Sequence, residues 1–187
     1  MRRINNPRKL ADLPRPYHTA AMAEIEKQTD RGAAIVGAAY VELVLREAIT
    51  ARMADLPDIM KLLFENRGPL QDFGARIQAA YALGIYGRQA YHDLCIIKEI
   101  RNAFAHSAAA MDFDHEDVTR RCSKLWFPQK INYGKDPMPS TAKQRFIRAV
   151  ELLADGLHEN LGRQKAGLPL SQFLMMGTPS AKPTGNL

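Results

Sequence analysis

Apolar residues recur at three- and four-residue steps along most of this chain and almost nowhere alternate, which predicts helices rather than strands. The first run follows Tyr17, where Ala20, Ala21 and Ile25 sit among good helix formers, and predicts a helix ending near Asp30. Asp30 can cap the next helix through its carboxylate. That second helix carries Ile35, Val36, Ala39, Tyr40, Leu43 and Val44 and reaches about Met53. It is apolar around most of its circumference, the pattern of a central helix in a bundle, with Glu42 as the misfit. Pro57 punctuates, and a short helix follows through Ile59, Leu62, Leu63 and Phe64.

Gly68-Pro69 marks a loop and then a start, because proline suits a first helical turn. Phe73, Ile77, Ala80 and Tyr81 keep helical spacing until Gly84 and Gly87 close the run. Arg88 to about Ala108 forms the next helix, with Leu94, Ile97, Ile100, Arg101 and Phe104 on one side. Asp114 can cap a short helix bearing Val118, Cys122 and Leu125, and the proline-containing stretch from Phe127 to Pro139 reads as a connecting loop. A long last helix starts near Ser140 and carries Phe146, Val150, Leu153, Leu157 and Leu161 as its stripe. The pattern predicts an all-α, single-domain multi-helix bundle over 17–165, preceded by a flexible basic arm (1–16) and followed by a largely disordered tail (166–187).

With 187 residues, 46% of them apolar and 25% charged, the chain has material for one domain with a real core. A formal charge of +6 is compatible with a polyanionic partner, DNA or RNA, without establishing one. Arg2, Arg3, Arg8, Lys9 and Arg15 crowd into the N-terminal arm, where the plainer reading is a solubilising terminus. Cys95 and Cys122 form no CxxC pair, and the five histidines are scattered, so neither a metal site nor a cofactor is expected. The cysteine usage fits a reducing cytosol, and with neither an apolar signal core nor a long uncharged apolar run the expected location is cytoplasmic, away from membranes.

One stretch stands out chemically: KEIRNAFAHS, from Lys98 to Ser107, puts arginine, asparagine and histidine within six positions of a helix. Asn102 and His106 share a face, while Arg101 is turned by roughly 100° from Asn102. Two such helices crossing in a dimer would bring both sets into one cleft, where Arg101 can fork onto a phosphate and His106 can act as acid or base on a ribose hydroxyl. The competing reading is structural and is placed slightly ahead. Arg31, Glu42, Arg76, Asp93, Arg101 and His106 would form a polar network fastening the helices, since buried arginines require carboxylate partners, for which Asp72 and Glu99 are also at hand.

Three segments together resemble the mannitol operon repressor family of bacterial proteins: DRGAAIVGAAYVELVLREAI, LFENRGPLQDFGARIQAAYALGIY and YHDLCIIKEIRNAFAHS. They run from Asp30 to about Phe113, and the GPLxxFxARIxxAYALG block is the most distinctive. The ending also resembles the Arg-x4-His motif of HEPN-type helical domains, many of which are dimeric metal-independent ribonucleases, or their inactive relatives, of toxin–antitoxin and defence systems. That resemblance implies Arg101 as phosphate clamp, Asn102 as the polar residue after it and His106 as acid/base. The family resemblance implies transcriptional repression, yet LPDIMKLLFENRGPLQDF offers few side chains able to reach base edges, as a helix-turn-helix must.

The reading ranked first is therefore a noncatalytic regulator acting by protein contact or weak DNA contact. A homodimeric ribonuclease comes second, and a helical immunity or scaffold protein third. Dimerisation is expected on either of the first two.

Overall fold

The computed structural model describes residues 15–65, 67–131 and 137–177, so most of the expected arm, part of the loop after Phe127 and the end of the tail lie outside the described residues. Among the described residues there are eight helices and no strand. They are α1 (Arg15–Lys27), α2 (Asp30–Thr50), α3 (Pro57–Phe64), α4 (Phe73–Ala82), α5 (Arg88–His106), α6 (Glu116–Cys122), α7 (Phe127–Lys130) and α8 (Ala142–Lys165).

α2 and α8 form the spine of the bundle. α2 packs against α1, α4, α5 and α8, while α8 also meets α1, α5, α6 and α7. Every member of the expected α8 stripe is buried, and so are Leu94, Ile97, Ile100 and Phe104 of α5. Aromatic side chains tie the two together: the Phe113 ring lies 5.0 Å from that of Phe104 and 5.4 Å from that of Phe146. Thr141 and Gln144 close the start of α8 with a capping box.

Several helix starts differ from expectation by one or a few residues, set by which side chain is free to cap. α2 is capped by Thr29, whose hydroxyl accepts from Gly32 N, because Asp30 is used elsewhere. Its carboxylate accepts from Phe113 N at 3.0 Å and pairs with Lys143 at 3.0 Å, which fastens the start of α2 to the chain after α5 and to α8. Burial works against that carboxylate, but the Phe113 N–H and Lys143 outweigh it and hold its pKa below the ordinary value. α4 begins at Phe73 under an Asp72 cap rather than at Pro69, and α6 is capped by His115 rather than Asp114. The expected loop from Phe127 opens with the single turn of α7.

A larger difference follows α8. Residues 168–177 fall in the expected disordered tail, yet they fold back over the start of α5. Gly87 N donates to Leu174 O at 2.7 Å, and Ser171 N donates to the Asn160 side-chain oxygen at 2.7 Å. Two glycines make room: a Cβ on Gly87 would lie 2.5 Å from Met175 O, and one on Gly156 would lie 2.6 Å from the Leu174 side chain. Leu174, fully buried, is therefore a core residue reached from outside the main pattern. Leu174→Ala is expected to lower stability by about 2 kcal/mol in urea unfolding, the lower end of the range for a buried leucine because the segment is terminal and can shift.

Where α1 meets α2 and α8, His18 sits within 2.8 Å of the Tyr40 hydroxyl and 3.1 Å of the Asp155 carboxylate. The His158 ring stands edge-on to it at a centroid distance of 5.8 Å. Burial, and then the neighbouring His18, push the His158 pKa from 6.5 down to about 4. The folded state therefore binds this proton less well than the unfolded chain does. This contribution is fully present above about pH 6.5 and is lost as the pH falls towards 4. Discounted for the part of the ring that water reaches, the loss is about 2 kcal/mol. Thermal melts at pH 7 and pH 4.5 should show this component in the wild type and lack it in His158→Phe.

Candidate functional site

Glu42, the charged misfit of an otherwise apolar helix, is the centre of a half-buried polar node. One carboxylate oxygen accepts from Arg76 at 2.8 Å, and the other lies 3.6 Å from the Arg101 guanidinium. Arg76 is buried, and it also donates to the carbonyls of Leu70 and Gln71, at 2.7 and 3.1 Å. The Asp72 cap sets the start of α4 so that Arg76, one turn on, faces the loop carrying those carbonyls. Below it the Phe64 ring lies 5.6 Å from the Arg76 guanidinium and 5.0 Å from that of Arg46. The GPLQDF loop, α2, α4 and α5 thus meet on one carboxylate. Arg101 completes the node by donating to the Asn102 side-chain oxygen at 3.0 Å.

The other residues singled out in the sequence stand elsewhere. Arg31 donates to the carbonyls of Ser107 and Ala109, at 3.0 and 2.9 Å, and so holds the chain leaving α5. Asp93 is fully buried and pairs with no arginine among the described residues. It accepts from Trp126 N at 2.8 Å and from Phe127 N at 2.9 Å, closing the open start of α7, with His92 Nδ1 3.2 Å away. Burial pushes its carboxyl pKa up, against the pull of those N–H groups. Asp72 is spent on the α4 cap, and Glu99 lies 3.4 Å from Arg121.

His106 is exposed at the end of α5, and its imidazole makes no hydrogen bond or ion pair with the described residues. It stands five positions after Arg101, which turns the two side chains about 140° apart on the helix. Within one chain Arg101 faces α2 and the Glu42 carboxylate, and the structure does not bring His106 to the same spot.

A feature absent from the sequence reading lies beside the node. α2 reads as central and buries Ala34, Ala38, Val41 and Leu45, yet Ile35 and Val36 are 38% and 39% exposed, and Ala39 is exposed with them. These three lie between two ties to α5: Arg31 at its end, and Glu42 with Arg101 further back. The signal was in the sequence as apolarity around the whole helix, but periodicity cannot tell a side covered by the chain itself from one left open. α3 adds Ile59 and Leu62, 45% and 63% exposed.

A family model described as "Mannitol repressor" matches residues 54–157, more than half of the chain. The chain belongs to the mannitol repressor family. That span takes in α3 to α7 and most of α8, including Arg76 and Arg101 but not Glu42. Among solved structures, a chain of the MtlR–HPr complex from Escherichia coli superposes with a TM-score of 0.58 at 16% identity, covering 76% of this chain and 99% of that one, which establishes a shared fold. Among curated proteins, an (E)-beta-farnesene synthase from Citrus junos is 34% identical over 73 residues, 39% of this chain. The match spans 13% of that protein's length. No helix among the described residues is long and apolar enough to cross a membrane.

Proposed function

We propose that this member of the mannitol repressor family is a noncatalytic regulator that works by binding another protein, with the open side of α2 as its docking face. The observation that carries the reading is the exposed Ile35, Val36 and Ala39 on an otherwise buried helix, framed by Arg31 and Arg101. Apolar side chains grouped on a surface and rimmed by charge are the usual mark of a protein interface. The fold relative from Escherichia coli was solved in complex with HPr, which makes an HPr-type protein the first partner to try.

The second reading, a ribonuclease built on Arg101, Asn102 and His106, has less behind it. The Arg101 guanidinium is engaged by Glu42 and Asn102 instead of being free to fork onto a phosphate. Direct DNA contact rests on little beyond the overall charge of +6.

The test is calorimetric titration of the purified chain with the HPr of its own organism, comparing wild type with Ile35→Glu. Binding by the wild type and loss of at least tenfold in affinity for Ile35→Glu is the expected result, since a charge would be buried at the centre of the face. Equal binding by the variant would remove α2 from the interface. A self-associating wild type that becomes monomeric in Ile35→Glu would give the face to a second copy of the chain. RNA incubated with the protein and a chelator should stay intact.

A further inference from the structure

Between α5 and α6 lies a cleft of about 320 Å³ that the regulator reading does not use. One wall is α6 and its end, which present Arg120, Arg121 and Lys124; the other is α5, with His92, Glu99 and an apolar strip of Cys95 and Ile96. We propose that this cleft binds a small phosphate monoester, the phosphate held by Arg121 and Lys124 and the uncharged part laid against Cys95 and Ile96.

Three observations carry the assignment. The first is an under-satisfied donor: the ε-nitrogen of Arg121 is buried and makes no hydrogen bond, holding only an ion-pair contact with Glu99 at 3.4 Å. Buried N–H groups are nearly always hydrogen-bonded, so one held only by a long ion-pair contact beside a cleft can take an acceptor from outside once Glu99 turns away. The second is that Arg121 is already aimed. One terminal nitrogen donates to the Asp117 carbonyl at 3.0 Å, which fixes the guanidinium plane before any ligand arrives. Forked guanidinium donors of this kind suit the tetrahedral oxygens of a phosphate.

The third is the pairing of charges. Arg120 is neutralised by Asp117, whereas Lys124 projects into the cleft without an acidic partner among the described residues. Glu99 is the counter-charge to overcome, and at 55% exposure its side chain is free to turn into water once an anion takes its place. The volume suits a small metabolite and not a polymer.

This site does not depend on the docking face, and its test keeps the two apart. The purified full-length chain is titrated calorimetrically in low salt with glycerol 3-phosphate, inorganic phosphate and, as a neutral control, glycerol. Glycerol 3-phosphate is expected to bind, inorganic phosphate more weakly, and glycerol not at all. Lys124→Ala should weaken the ester roughly fivefold and Arg121→Gln by tenfold or more, on the strength of charge-assisted hydrogen bonds. Glu99→Gln, which removes the competing carboxylate, should bind it more tightly than wild type.

Because Arg121 also holds the Asp117 carbonyl, its variant can fail for lack of folding. Lys124→Ala and Glu99→Gln, both altering exposed side chains, then decide. No binding of the ester by the wild type overturns the proposal. So does binding that both variants leave unchanged, which would place the anion elsewhere, or inorganic phosphate binding as tightly as the ester, which would leave the apolar wall idle. Ile35→Glu should bind the ester normally, so failure of the docking reading leaves this result standing.

Discussion

Asp93→Ala should destabilise the protein by about 3 kcal/mol, because it strips acceptors from one buried and one part-buried N–H group. Asp93 is a fully buried carboxylate whose two oxygens accept from the backbone of Trp126 and Phe127. The start of α7 and the end of the α6 segment hang on it, and Phe127 in turn packs edge-on against Phe173 at 5.0 Å. Asp93→Asn keeps one oxygen acceptor in nearly the same place and should recover roughly half of the loss. Urea unfolding of the two variants checks this. If alanine and asparagine cost the same, the retained amide oxygen contributes nothing and the N–H acceptor account fails; if asparagine costs almost nothing, lost volume explains the alanine result. Hydrogen exchange adds a local reading: the amides of Trp126 and Phe127 should lose protection first.

Nothing near Asp93 in the sequence announces this role, since its partners are main-chain groups 33 and 34 positions away. A buried aspartate in a helix suggests an arginine partner on composition alone, and the structure gives it backbone instead. The caps show a milder form of the same limit. Thr29 and Asp30 are both cap-competent neighbours, and only the tertiary use of Asp30 by Phe113 N and Lys143 selects Thr29. The return of 168–177 was hidden for a different reason: a few apolar residues in a Gly/Pro-flanked stretch carry no period, and the pocket for Leu174 is made by a glycine in another helix.

What was legible is equally specific. Long amphipathic runs such as α8 and α5 name their own buried side, because nineteen or more residues repeat the signal. A carboxylate in the middle of an apolar run, Glu42, is itself a signal, since an acid there is kept only if something compensates it. The proposed docking face was legible as composition and invisible as function. Ile35 and Val36 look like core in any window of sequence, and only the packing of α2 against its four neighbours leaves them uncovered.

Removing the Glu42 carboxylate leaves Arg76 as a buried charge with carbonyls but without its ion-pair partner, only the weaker field of Asp72 remaining, and frees Arg101 from its partner. Glu42→Ala is accordingly expected to cost about 3 kcal/mol, the range for breaking one side of a buried pair. Arg76→Met alone should cost a similar amount, since it abandons the Leu70 and Gln71 carbonyls as well as Glu42. The double variant Glu42→Leu with Arg76→Met fills the same space with apolar groups and should cost clearly less than the sum of the two single changes, by at least 1 kcal/mol. Additive losses in that cycle would mean that the two side chains stabilise the bundle independently, and the node would then be two separate contacts that happen to adjoin. Because Arg101 has no other acidic partner among the described residues, partner binding in Glu42→Ala tests one further link. If the node sets the rim of the docking face, affinity should fall along with stability even under conditions where the variant remains folded.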